Sequence, residues 1–159
     1  MELNDHSNDT SLSPSAFSDL ENSIYAALET YSNVHRGSGH FSAATTHLYE
    51  LARNIVLEYL DLSKSKYCVI FCTPAGTKQL IKLLQPESYF CLSSKDIGLP
   101  IGVRALAVMK KSLPGGVPFQ TGGGTARLVS PDYVVWARTP DKFEAGTPAI
   151  INIIDTRKF

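Results

Sequence analysis

This sequence has little of what marks membrane, secreted or nucleic-acid-binding chains. No apolar run approaches the ~18 residues that a bilayer-crossing helix requires. The opening stretch MELNDHSNDTSLSPS is acidic and polar, without the basic and apolar regions of a signal peptide. A cytoplasmic location with no membrane partner is therefore expected. Lys plus Arg equals Asp plus Glu at 15 each, so no charge excess of one sign recommends nucleic acid. The three cysteines are an odd count with no disulfide framework. Cys68 and Cys72 lie in YCVIFC and share a face with Ile70 at a period of two, which suits small apolar core residues. A metal site needs further ligands that the cysteine and histidine spacing does not offer, so none is expected.

What is present suits one globular domain. At 159 residues and 43% hydrophobic, the chain is long enough and apolar enough for a real core. Residues 1–17, rich in Asn, Ser and Asp, read as a disordered tail, and 18–159 as a single domain. Ser18 with Glu21 forms a capping box, and Leu20, Ile24 and Leu28 follow at helical spacing, so a helix is expected to about Thr30. A longer helix is expected from about Ser42 to Leu60, its apolar face built from Leu48, Leu51, Ala52, Ile55, Val56, Tyr59 and Leu60.

KYCVIFCT reads as a buried strand, TPAG as a turn, and 77–84 as a short helix that Pro86 stops. SYFCLS and IGVRALAVM read as strands, and TARLVS with DYVVWAR as a hairpin turning at Ser130 and Pro131. The pattern predicts an α/β protein with three layers and a mixed-strand sheet.

Several segments could carry chemistry. NVHRGSGH at 33–40 is a polar, Gly-rich loop in which Arg36 could hold a phosphate or carboxylate and His35 could orient a ligand. Equally, Arg36 could bind helix carbonyls and His35 lie on the surface. FEAGTPAII at 143–151 joins a carboxylate, a glycine, a hydroxyl and a proline ahead of an apolar element. Thr147 there suits an anion, through its hydroxyl and peptide N–H, or a plain N-cap before Pro148. Gly122, Gly123 and Gly124 are either an anion-binding nest or a flexible turn. GTK at 76–78 lacks the first glycine and the hydroxyl residue of a P-loop.

Taken together, these segments resemble the class V aminotransferases, the fold-type I enzymes dependent on pyridoxal 5'-phosphate (PLP) that include cysteine desulfurases. NVHRG at 33–37 and the helix after it resemble the family's N-terminal N-x-H-R-G loop and first long helix. YCVIFCTPAGTKQLIKLL at 67–84 is similar to the strand, turn and helix that bind the cofactor phosphate. SSKDIGLPIGVRAL at 93–106 resembles the segment of the cofactor-bound lysine, S-x-H-K followed by P-x-G. GGGT at 122–125 and FEAGTP at 143–148 resemble the later Gly-rich and E-x-G-T-P segments.

The resemblance implies a shortened PLP-transferase large domain. Lys95 is then the candidate catalytic amine, and His35, Arg36 and Thr147 are the candidate cofactor contacts. Thr147 would reach a partner's cofactor phosphate across a dimer interface. A homodimer, or docking on a full-length PLP enzyme, is the implied partnership.

The chain also departs from the pattern. Matching Pro100 and Gly102 to P-x-G places Asp96 at the lysine position and Lys95 one residue before it. The family's long block between the phosphate turn and the lysine segment is reduced to a few residues. The expectation is a degenerate or truncated domain, inactive alone, whose native protein could extend beyond Phe159. The competing expectation is a non-catalytic interaction or regulatory module.

Overall fold

The structure is a computed structural model that describes residues 39–93, 102–146, 149, 150 and 153, together with Tyr25. The expected helix over 18–30 lies outside the described residues, apart from Tyr25. Helix α1 spans His40–Tyr59, strand β1 Tyr67–Cys72, and helix α2 Pro74–Ile81. A short 3-10 turn, Pro86–Ser88, leads into β2, Tyr89–Ser93. Strand β3 is Arg104–Met109, followed by a 3-10 turn over Lys110–Ser112. The hairpin is β4, Ala126–Val129, and β5, Val134–Trp136, and a 3-10 turn over Asp141–Phe143 closes the described elements. Among the described residues, no helix is long and apolar enough to cross a membrane.

The main sheet has the order β1-β3-β2, and the hairpin forms a separate two-stranded sheet. The sequence predicts mixed strands, whereas every described pairing is antiparallel. The reason is the central position of β3. Both β1 and β2 run antiparallel to it, so they point the same way without touching, and α2 carries the chain from one to the other.

Each face of this sheet meets a helix. Side chains of β1 alternate, so Val69 and Phe71 pack with Tyr49, Ala52, Val56 and Leu57 of α1. On the opposite face, Ile70, Leu106 and Val108 pack with Leu80 of α2 and with Phe143. Cys68 is buried beside them, as its strand position implies.

Two sequence expectations are corrected here. TPAG is not a turn before a helix but the helix start itself. Thr73 is the N-cap, its hydroxyl accepts the Gly76 N–H at 3.1 Å, and Pro74 occupies the first turn. The buried stripe of α1 is also rotated from the one expected. Tyr59 is 60% exposed and Leu51 also faces solvent, while Ser42, Thr45, Tyr49, Ala52, Arg53, Val56 and Leu57 are buried. The 3–4 spacing holds, and the face that packs on β1 also carries Arg53, which pairs with Asp141 and Glu144.

Candidate functional site

At the carboxyl end of β1, where open α/β sheets bind their ligands, lies a cleft of about 270 Å³. Three of the sequence segments meet there. Phe71, Cys72, Thr73 and Gly76 come from the strand and helix start, and Gly102 and Val103 from the end of the lysine-like segment. Phe143, Glu144 and Ala145 come from FEAGTP, with Ala149 and Ile153 just beyond. Phe119 and Gln120 complete the described wall, with Phe119 stacked on Phe143 at 6.4 Å between ring centroids.

The two glycine-rich segments lock together. Gly146, at φ +91°, donates its N–H to the Gly123 carbonyl at 2.9 Å, and a Cβ on Gly122 would lie 3.4 Å from that of Ala145. Gly122 donates to the Thr125 hydroxyl at 3.1 Å and accepts from it at 2.7 Å. Of the two readings of the triple glycine, the geometry favours the structural turn, because the Gly122 N–H is already engaged.

Glu144 is the centre of the polar network behind the cleft. Its side chain is 7% exposed. One carboxylate oxygen, Oε2, accepts from the Tyr49 hydroxyl at 2.7 Å and from the Arg53 guanidinium at 2.9 Å. The other, Oε1, accepts the peptide N–H of Phe71 at 2.7 Å. That N–H points away from β3, because Lys110 donates to the carbonyl of Lys66 and the ladder alternates from there. Glu144 thus caps the outer side of β1 where a neighbouring strand would otherwise bond.

Arg53 also pairs with Asp141 at 3.1 Å and with Glu50, and it lies 4.9 Å from the centre of the Tyr49 ring. Burial pushes the Glu144 carboxyl above the usual carboxylate range, against the opposing pull of Arg53, the Phe71 N–H and Tyr49. Burial and the charge of Glu144 raise the Tyr49 phenol, so it stays protonated and donates. The Arg53 guanidinium is held charged by its carboxylates despite its burial.

The described wall does not suit a cofactor phosphate. Its ionisable groups are Glu144, already committed to three donors, and Cys72. The Cys72 thiol is pushed up to about 12 by burial and by the Glu144 charge, so it is neither a thiolate nucleophile nor an anion binder. At the start of α2, Pro74 has no N–H, Gly76 is capped by Thr73, and Thr77 returns its N–H to the Thr73 carbonyl at 2.9 Å. Only Ala75 remains in that first turn to meet an anion. Among the described residues, no group of three His, Cys, Asp or Glu could hold a metal ion.

All four residues singled out from the sequence, Lys95, His35, Arg36 and Thr147, lie outside the described residues. Sequence reasoning passed over Tyr49, Arg53 and Asp141, and it saw Glu144 only as part of a motif. One signal was available: Arg53 is a charge set inside the helical stripe of Tyr49, Ala52, Val56 and Leu57.

The comparisons agree with the motifs. The family model described as Aminotransferase class-V matches residues 89–158, from β2 through FEAGTP. The chain is class V aminotransferase-like over that stretch. Its fold is similar to the apo structure of a cysteine desulfurase from Thermococcus onnurineus NA1, with a TM-score of 0.64 and 17% identity. That likeness covers 87% of this chain, which spans 62% of the desulfurase chain. No curated protein matches this chain.

Proposed function

We propose that this chain is a degenerate class V aminotransferase-like domain that does not carry out PLP chemistry by itself. In this reading residues 18–159 form one partial domain, a three-layer remnant of the PLP-transferase large domain, working in the cytoplasm. The observation that carries it is the described wall of the cleft, where the one acidic side chain is spent on bracing β1 and the phosphate-turn equivalent has a single N–H left. The close succession of α2 and β2, joined through 82–88, supports the same reading, since the family places a long block there.

Had the activity persisted, PLP would supply electron withdrawal from an amino acid substrate. Lys95 would hold the cofactor, and His35, Arg36 and Thr147 would contact it. The test is to incubate the protein with PLP, reduce with borohydride and map adducts by mass spectrometry. The expected result is no stoichiometric adduct at Lys95 over other lysines. A yellow complex that survives desalting, with one adduct at Lys95 that Lys95→Ala abolishes, would overturn the reading.

A second reading is a non-catalytic module that forms a homodimer or docks on a full-length PLP enzyme. The observation favouring it is the exposed apolar hairpin, where Leu128, Val129, Tyr133, Val134 and Val135 all face solvent.

A further inference from the structure

A second recess among the described residues lies at the foot of the β4–β5 hairpin, away from its turn. It is an open depression of about 830 Å³, lined by Gly123, Gly124, Arg127, Arg138 and Asp141 with two alanines between them. The hairpin brings the two arginines there from opposite strands. Ala126 pairs with Trp136, and the Ala137 N–H donates to the Thr125 carbonyl at 2.8 Å, so Arg138 leaves β5 beside the glycine turn. The ladder shifts between Ala126 and Leu128, which leaves Arg127 as the extra residue of β4. Two guanidinium groups thus share one depression. Neighbouring like charges repel, and carboxylates are the usual answer to them. Among the described residues, neither Arg127 nor Arg138 is paired with a carboxylate, and the guanidinium–carboxylate pairs all belong to Arg53.

We propose that this recess binds a phosphate group in its dianionic form, as the free ion or as a monoester, through Arg127 and Arg138. A guanidinium presents parallel N–H donors that match two phosphate oxygens, and two guanidinium groups balance the two charges. Glycine at 123 and 124 puts bare backbone in the wall, with Gly124 at φ +90°, so no side chain bars the approach of a ligand there. Asp141 acts against an anion, and its bond to Arg53 at 3.1 Å moderates that repulsion without removing it. The recess shares no lining residue with the cleft at the end of β1, and the inference does not rest on the cofactor reading above.

The test is equilibrium dialysis against inorganic phosphate and against glycerol 2-phosphate, with sodium chloride holding the ionic strength constant. The fluorescence of Trp136, the sole tryptophan and the ladder partner of Ala126, places the ligand at the hairpin. Saturable binding is expected, strengthening as pH rises through the second ionisation of phosphate. Tighter binding of inorganic phosphate identifies the free ion as the ligand, and tighter binding of glycerol 2-phosphate identifies the ester. Arg127→Gln and Arg138→Gln are each expected to weaken binding about fivefold or more. Lys82→Gln, an exposed position just past α2, is expected to leave it unchanged. Thermal melts by circular dichroism are expected to stay unchanged for all three exposed positions. Absence of saturable binding to either compound overturns the site, as does an affinity that either arginine variant leaves intact.

Discussion

The corner around Glu144 and the β4–β5 hairpin lie a few residues apart in sequence, yet they solve the same problem in opposite ways. Both involve a strand whose outer backbone groups lack a neighbouring strand in the described sheet. At β1 the outward N–H of Phe71 is met by a carboxylate that is itself held by Arg53 and Tyr49, so the edge is closed from within the chain. At β5 the outward peptide groups of Val134 and Trp136 are flanked by exposed apolar side chains and by charges of both signs. A strand edge closed by a buried side chain adds stability to the fold. One left to solvent remains available to another chain.

Breaking the first corner is expected to give the largest effect. Arg53→Met leaves Glu144 buried without its cation and is expected to cost ~3–5 kcal/mol at neutral pH by denaturant unfolding. The sign of its pH dependence follows from the carboxyl. Without Arg53, burial raises the folded value of Glu144 further above its unfolded one, so the folded state holds the proton more tightly. That stabilisation is fully present below the unfolded value and lost as pH rises through the folded one, so the deficit of the variant shrinks in mild acid. A deficit unchanged between neutral and acid pH would show that Glu144 is not the group left exposed to the loss.

A smaller effect is expected from Glu144→Gln, which keeps the volume and an acceptor but removes the charge. About 1–3 kcal/mol is expected, with hydrogen exchange at the Phe71 amide accelerated relative to its neighbours in β1. Thr73→Ala removes the cap of α2 and is expected to cost ~1 kcal/mol by the same unfolding measurement. Val129→Thr in the hairpin sits at the other end of the comparison, with a change within about 0.5 kcal/mol in the monomer. A loss as large as that of Arg53→Met would show that the hairpin is braced after all.

Much of the fold was legible because local rules and tertiary structure agree. The 3–4 periodicity of 42–60 located α1 to within two residues of its start, and the apolar run YCVIFC located β1. The turn at Ser130 and Pro131 gave the hairpin. The start of α2 differs from expectation because TPAG reads as a turn, whereas Pro74 sits in the first turn of the helix, where its missing N–H costs nothing. The order of segments was also enough to suggest the class V aminotransferase pattern, and the family match from residue 89 onward agrees with it. The candidate site was legible as segments and not as contacts. FEAGTP and TPAG were both marked, but the hold of Glu144 on the Phe71 amide spans 73 residues of chain, and no periodicity encodes it.

The sequence by itself determined the position of α1, the strand runs and the hairpin, because each depends on spacing within one segment, and the family resemblance, because the segments keep their order. Only the tertiary structure decided that β3 lies between β1 and β2, that Arg53 turns inward, and that the carboxylate of FEAGTP serves as a strand cap. Those outcomes depend on satisfying buried charges and peptide groups with partners far away in sequence. Only the folded chain establishes which groups meet.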